Sequence, residues 1–209
     1  MRILIVDDHA IVRKGLKHLL LEEYPSSTIE ELGDGQSLIT KVINEKWDIV
    51  ICDLDMPGRG GLDALRQIKE ISPQLPVLIV SIYPEDQYAV RVLKAGAAGY
   101  LNKEAATEEL EKAVRQILQG RKYVSSSITA KITEELGRNS EDKAPHELLT
   151  DREFEVFKLI ASGRSVSEIA EKMSLSSTTI STHRARLLAK MHIKTNAELT
   201  RYALDNRLI

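Results

Sequence analysis

The chain has 209 residues, 43% hydrophobic and 29% charged, with a formal net charge of -2; it is long enough for two domains of roughly 100 residues each and too apolar for a disordered chain. Its longest apolar runs, residues 3–6 and 77–80, are far too short to span a membrane, and Asp7 and Asp8 fall too early for a signal peptide. A lone cysteine, Cys52, excludes an internal disulfide and fits a reducing cytoplasm, where we expect the protein to reside.

The charge is unevenly spread. Residues 1–124 carry 16 Lys and Arg against 19 Asp and Glu, whereas residues 150–209 carry 10 against 7. Lys172, Arg184, Arg186, Lys190 and Lys194 lie in a stretch, 172–197, that holds no acidic residue. A basic patch beside an acidic domain points to nucleic acid at one end of the chain and a different task at the other.

In chain order, the apolar runs 2–6, 28–32, 48–52, 76–81 and 99–102 alternate with amphipathic stretches at 10–21, 36–46, 62–72, 86–95 and 107–119. The first, third and fourth runs are almost continuous Ile, Leu and Val, as expected of parallel strands buried on both faces. This predicts an α/β domain with a five-stranded, doubly wound parallel sheet, whose site lies beyond the carboxyl ends of the strands. Residues 121–149 hold one weak helical pattern, at 127–136, and 137–145 read as a polar linker. From Thr150 onward the pattern is helical, near 151–162, 166–173, 177–191 and 197–206, giving a smaller all-α domain of four helices. Thr150-Asp-Arg-Glu153 and Ser165-Val-Ser-Glu168 fit the capping box, and Ser177 and Asn196 are candidate caps for the last two helices.

The predicted strand ends carry chemistry. Strand one ends in Asp7-Asp8, strand three in Asp53, strand four in Ser81, and strand five leads to Lys103. Carboxylates gathered at one edge repel one another unless a cation neutralises them, and Mg²⁺ suits a few carboxylates with room for water and phosphate oxygens. Lys103 and Ser81 would supply a charge and a hydroxyl to an incoming phosphoryl group, leaving Asp53 as nucleophile. Cys52 and Trp47 read as core residues.

Val-Asp-Asp-His at 6–9, Asp53-Leu-Asp-Met-Pro-Gly58, Ser81 and Gly99-Tyr-Leu-Asn-Lys103 together resemble the receiver domain of two-component response regulators, over residues 1–122. The resemblance implies that Asp53 accepts phosphate from a sensor histidine kinase or a small phosphodonor. It also implies that Asp8, Asp53 and the backbone carbonyl of Asp55 bind Mg²⁺ with Asp7 acting through water, that Lys103 pairs with the phosphate, and that Ser81 and Tyr100 form the switch that reads it. Asn102 departs from the family, which more often has an apolar residue there. Asp53-Leu-Asp55 also resembles the nucleophile signature of haloacid-dehalogenase-type phosphatases, but Pro57 stands where that family wants Thr or Val, and the pair at 7–8 has no place in its scheme. A flavodoxin-like FMN module lacks its phosphate loop here. The chain therefore reads as a regulator, not an enzyme, catalysing only its own phosphoryl transfer and dephosphorylation.

In the C-terminal part, Ser174-Leu175-Ser176 separates two helices by the length a helix-turn-helix needs. On a helical wheel, Ile180, Leu187, Leu188 and Met191 form the core side of the second helix. Thr178, Ser181, Thr182, Ala185, Arg186 and Ala189 point away, a short polar face suited to a major groove. Arg184, near the apolar side, is expected to snorkel to a phosphate or cap a carbonyl, and Lys190 and Lys194 to add basic contacts. His183 reads as a packed, hydrogen-bonded residue. Leu149-Thr-Asp-Arg-Glu153, Ser167-Glu-Ile-Ala170 and Leu175-Ser-Ser-Thr-Thr-Ile-Ser-Thr-His183 resemble the LuxR-type helix-turn-helix, over residues 148–209, with 123–147 as linker. The whole chain thus resembles the NarL/FixJ subfamily. Two departures from it are Ser174, where Gly is common and a left-handed backbone is expected, and Ser181, where many members carry Lys. The expected function is phosphate-controlled binding of double-stranded DNA, as a homodimer when phosphorylated or DNA-bound, with the last helix as its interface. The alternative is phosphate-independent DNA binding with the receiver as a protein-interaction module.

Overall fold

The computed structural model describes residues 1–58, 60–125, 128–130 and 144–209. Its first compact unit is Met1–Thr133 and its second Glu134–Ile209. In the first unit, strands β1 (Arg2–Val6), β2 (Thr28–Leu32), β3 (Ile49–Cys52), β4 (Val77–Ser81) and β5 (Gly99–Asn102) form one sheet in the order β2-β1-β3-β4-β5. Every adjacent pair is parallel. Helices α1 (Ala10–Glu23), α2 (Gly35–Asn44), α3 (Gly61–Ile71), α4 (Glu85–Lys94) and α5 (Ala106–Leu118) alternate with the strands. β1, β3 and β4 are buried almost throughout, which accounts for their unbroken aliphatic sequences. The edge strand β2 is only partly covered and so tolerates Glu30 and Glu31. Two strands begin one residue later than the apolar pattern suggests. Pro76 has no N–H to donate and offers only its carbonyl, to the Val50 amide at 3.0 Å. Asp48 turns its carboxylate back onto the Arg2 amide at 2.6 Å.

Side chains alternate across the sheet. Ile3, Ile5, Ile49, Ile51, Leu78 and Val80 meet Leu16 and Leu20 of α1 and Leu110, Val114 and Ile117 of α5 in one buried cluster. Helices α2 and α3 pack on each other. β5 is held on its outer side by an isolated bridge between Gly99 and Tyr123. A Cβ at Gly99 would stand 2.7 Å from the Tyr123 carbonyl oxygen, so this close pairing requires glycine.

Among its described residues, the second unit begins with a 3₁₀ turn at Pro145–Leu148 and continues through α6 (Asp151–Ala161), α7 (Val166–Met173), α8 (Ser177–Met191) and α9 (Asn196–Asp205). Both expected capping boxes form: Thr150 with Glu153 at the start of α6, and Ser165 with Glu168 at the start of α7. The last two caps lie one residue earlier than expected. Ser176, not Ser177, accepts from the Thr179 amide, and Thr195, not Asn196, accepts from the Glu198 amide. In each case the capping residue has extended backbone, which turns its hydroxyl toward the third amide of the helix, while Ser177 and Asn196 are already helical. Of the weak helical pattern at 127–136, residues 128–130 are helical; 127 and 131–136 lie outside the described residues, as does 137–143 of the expected linker.

Candidate phosphoryl-transfer pocket and nucleic-acid interface

The register of β1 on β3 pairs Val6 with Cys52, so the chain leaves both strands at the same level. The Asp53 amide donates to the Val6 carbonyl at 2.8 Å, setting Asp53 directly beside Asp7. Asp7 and Asp53 are buried, 1% and 3% exposed, and Asp8 lies on the exposed rim. Lys103, one residue past β5, bridges the buried pair, its Nζ standing 2.6 Å from Asp7 Oδ2 and 2.8 Å from Asp53 Oδ2. The Leu54 amide donates to the other Asp53 oxygen at 2.7 Å.

One lysine cannot balance three carboxylates. Burial pushes the Asp53 carboxyl above its ordinary range; Lys103 opposes this, Asp7 adds to it, and the Asp55 amide lowers it. Burial alone would depress the Lys103 ammonium, but its bonds to Asp53 and Asp7 hold it above its usual value. The residual negative charge, with one ligand atom from each of Asp7, Asp8, His9 and Asp53 inside 4.8 Å of the others, could hold a divalent cation, the carboxylate oxygens being the donors that a hard ion takes. Asp55, half-buried, follows on the same loop. That loop is closed by Gly61, whose amide donates to the Leu54 carbonyl at 2.9 Å. A Cβ at Gly61 would fall 1.9 Å from the Asp53 carbonyl oxygen. The Gly60-Gly61 pair opening α3 was the available sequence signal for this close approach.

Ser81 and Tyr100 are both fully buried. The Ser81 Oγ accepts from the Tyr83 amide at 3.3 Å, and the Tyr100 hydroxyl donates to the Tyr83 carbonyl at 2.7 Å, so both act on one residue of the loop after β4. Burial raises the Tyr100 phenol, against a hydrogen bond with Ser81, which keeps it a neutral donor. Asn102 donates to the same Tyr83 carbonyl at 3.3 Å and accepts from the Glu104 amide at 2.8 Å, a polar role that explains why a polar residue stands here. Burial pushes the Cys52 thiol far up, leaving it an inert core side chain.

In the second unit, α7 ends at Ser174 in the left-handed region, φ 52° and ψ 43°, which turns the chain sharply into α8. On α8, Ile180, Leu187, Leu188 and Met191 are buried, while Thr178, Ser181, Thr182, Ala185, Arg186 and Ala189 are exposed. The expected basic residues divide. Arg186 has no hydrogen-bond or ion-pair partner among the described residues. Lys190 is committed elsewhere: its Nζ lies 2.6 Å from Glu153 Oε2 on α6. That carboxylate, 3% exposed, also accepts from the Thr150 amide at 2.9 Å. Among the described residues Arg184 caps no backbone carbonyl; its Nε donates to the Asn196 side-chain oxygen at 2.8 Å. Lys194 is exposed, with its amide bonded to Glu198 at 2.9 Å. His183 is half-buried, but its Nδ1 finds no partner among the described residues, against the expectation of a hydrogen-bonded ring. The Lys190–Glu153 ion pair escaped sequence reasoning because it joins two helices, although the capping role of Glu153 was expected.

Comparison with known proteins follows the same division. The family described as response regulator receiver domain matches residues 3–115, and that described as bacterial regulatory proteins, luxR family, matches 147–203. The chain is 35% identical over 216 residues to oxygen regulatory protein NreC of Staphylococcus epidermidis, across 100% of this chain and 99% of that protein. NreC of Staphylococcus haemolyticus is 36% identical over 215 residues, with the same coverage. Among solved structures, the RcsB response regulator of Salmonella typhimurium superposes with a TM-score of 0.72 at 27% identity, covering 97% of this chain and 96% of that one. RcsB of Salmonella enterica serovar Typhimurium bound to promoter rprA with the phosphomimetic BeF3⁻ gives 0.65 at 27% identity, covering 97% and 98%.

Proposed function

This chain belongs to the two-component response regulators that join a receiver domain to a luxR-type helix-turn-helix, and from that premise we propose that Asp53 is its phosphoacceptor and the outer face of α8 its DNA reader. The protein is a phosphorylation-controlled DNA-binding transcription regulator rather than a classical enzyme, and the phosphate-independent alternative is not favoured. We assign 1–122 to the receiver, 123–147 to the linker and 148–209 to the DNA-binding domain. Among the described residues no helix is long and apolar enough to cross a membrane; our reading places the protein in the cytoplasm.

The observation that carries the proposal is the buried Asp53 carboxylate held 2.8 Å from Lys103 Nζ, beside a second buried carboxylate. Asp8, Asp53 and the Asp55 carbonyl would hold Mg²⁺, with Asp7 acting through water; the cation would neutralise the pocket and the transferring phosphoryl oxygens. An Asp53 carboxylate oxygen attacks phosphorus of a histidine-kinase phosphoimidazole or a small acyl phosphate. The new O–P bond forms as the donor's P–N or P–O bond breaks, and its electron pair leaves with the donor. Lys103, released from its two carboxylates, pairs with the phosphoryl oxygens. Ser81 turns its hydroxyl to the phosphoryl group, giving up the Tyr83 amide, and Tyr100 registers the change through the Tyr83 carbonyl. Attack of water on the same phosphorus, with Asp53 leaving, resets the switch.

On DNA, Thr178, Ser181, Thr182, Ala185 and Arg186 face the major groove and Lys194 lies toward the backbone, with Arg184 and Lys190 positioning α8 rather than contacting phosphate. RcsB has been solved as two dimers bound to two parallel DNAs; by analogy this chain pairs as a homodimer, through α9. The test is intact mass after incubation with Mg²⁺ and acetyl phosphate, for wild type and Asp53→Asn, with DNA affinity followed in parallel. One phosphoryl adduct, absent from the variant and accompanied by tighter DNA binding, is expected. An adduct that persists in Asp53→Asn, or DNA affinity indifferent to the adduct, refutes the assignment.

A further inference from the structure

Of the four side chains that could ligate a cation in this pocket, Asp7, Asp8, His9 and Asp53, His9 alone offers a donor that is not an oxygen. His9 Nδ1 stands 2.6 Å from Asp8 Oδ1 and 3.4 Å from Asp7 Oδ1, and the His9 amide donates to Asp7 Oδ1 at 2.8 Å. Backbone and ring of this residue therefore both turn toward the acids, although the side chain is 64% exposed and free to sit in solvent. A neutral imidazole carries a single ring proton. On Nδ1 that proton bonds Asp8; moved to Nε2, it leaves on Nδ1 a lone pair directed into the space where the three carboxylates converge.

We infer that His9 Nδ1 is a direct ligand of the cation in this pocket, and that the site therefore accepts borderline divalent transition ions, of the class of Ni²⁺, through a nitrogen that Mg²⁺ has little use for. The inference rests on the reading of this pocket as the cation site of the phosphoryl-transfer reaction. Mg²⁺ prefers oxygen donors and keeps several of its waters, whereas imidazole suits Zn²⁺, Cu²⁺ and Ni²⁺. Any carboxylate site already binds Ni²⁺ more tightly than the earlier divalent ions. The diagnostic quantity is consequently how the Ni²⁺ and Mg²⁺ affinities each respond to removal of the ring. Physically, the pocket would be a point at which a transition ion competes with the cofactor of the switch, so that receiver chemistry responds to the metal balance around the protein.

The experiment measures Ni²⁺ and Mg²⁺ affinities of the tag-free full chain by titration calorimetry, for wild type, His9→Ala and Asp8→Asn, with Ni X-ray absorption as a structural readout. Because the His9 side chain is exposed, its removal does not threaten folding. His9→Ala should weaken Ni²⁺ by at least about tenfold, the lower end of what losing even an outer-sphere partner costs, while leaving Mg²⁺ nearly unchanged. It should also remove the imidazole scattering around bound Ni²⁺, and Asp8→Asn should weaken both ions. Equal Ni²⁺ affinity and undiminished scattering in His9→Ala overturn the inference, as does Ni²⁺ binding that survives Asp8→Asn, since the ion would then sit at another histidine. In those cases a Mg²⁺ affinity still weakened by Asp8→Asn leaves the cation pocket standing; Mg²⁺ binding indifferent to Asp8→Asn brings down that reading as well.

Discussion

Lys190 offers a direct test of whether a basic residue on α8, the proposed reading helix, serves DNA or the fold. Its ammonium sits 2.6 Å from a Glu153 carboxylate that is 3% exposed and also caps α6 through the Thr150 amide. Lys190→Met leaves that buried carboxylate without its cation. A charge-assisted hydrogen bond is worth about 1.5–3 kcal/mol, and because the Lys190 side chain is 39% exposed, solvent screening argues for the lower end, about 1.5 kcal/mol. Glu153→Gln removes the charge but keeps an oxygen for the Thr150 amide, so it should cost about 1 kcal/mol. The double variant should show a coupling of about 1 kcal/mol in urea unfolding of the second unit. DNA binding supplies the contrast. Each phosphate contact contributes about 0.9 to the slope of log affinity against log salt. Arg186→Ala should lower that slope by about 0.9, whereas Lys190→Met should leave it unchanged and alter only the fraction of folded reader. A slope reduced by Lys190→Met as much as by Arg186→Ala, with no stability coupling to Glu153, refutes the reasoning. The same pair has a pH signature. Against the upward push of burial, Lys190 and the Thr150 cap hold the Glu153 carboxyl below its ordinary range. A carboxyl depressed on folding contributes stability above its unfolded pKa, about 4.3, and loses it as pH falls through the lower folded value. The stability gap between wild type and Glu153→Gln should therefore be full near neutrality and close in that acid window.

Two glycines predict opposite outcomes. Gly61→Ala places a Cβ 1.9 Å from the Asp53 carbonyl oxygen, backbone that cannot swing aside; it should cost about 1–3 kcal/mol and, by displacing Asp53, the proposed phosphoacceptor, slow acetyl-phosphate labelling by about a hundredfold. Gly15→Ala, in α1 with nothing within 4 Å of the new methyl, should stabilise the receiver by about 0.5–1 kcal/mol with labelling unchanged. Normal labelling by Gly61→Ala would show that the loop relaxes without moving Asp53. Ser174→Gly relieves a left-handed serine at φ 52° and should raise the thermal midpoint of the second unit, by a gain of about 0.5–1 kcal/mol. A lower midpoint would mean that the left-handed turn is not strained.

By itself the sequence determined the parts whose physics is local. Strand and helix periodicities of two and 3.6 follow from burial of one face. The capping boxes of Thr150 with Glu153 and Ser165 with Glu168 close over three residues, and the glycine common at position 174 in the family that the chain resembles pointed to the left-handed turn that Ser174 takes. The candidate phosphoryl-transfer pocket was legible for a related reason: parallel strands deliver their carboxyl ends to one edge, so Asp7, Asp53 and Lys103 converge although Lys103 and Asp53 lie 50 residues apart. What only the tertiary structure decided was which polar atoms find one another. Lys190 and Arg186, four residues apart in one acid-free stretch, look alike in sequence and are both exposed, yet one is bound to a carboxylate 37 residues away and the other has no partner among the described residues. Gly61 against the Asp53 carbonyl, Asn102 on the Tyr83 carbonyl and His9 among the acids are likewise matters of ångströms between separate segments. Charge and hydrogen-bonding capacity are properties of a residue, but their use depends on distance, and distance between remote segments is set by how the core packs.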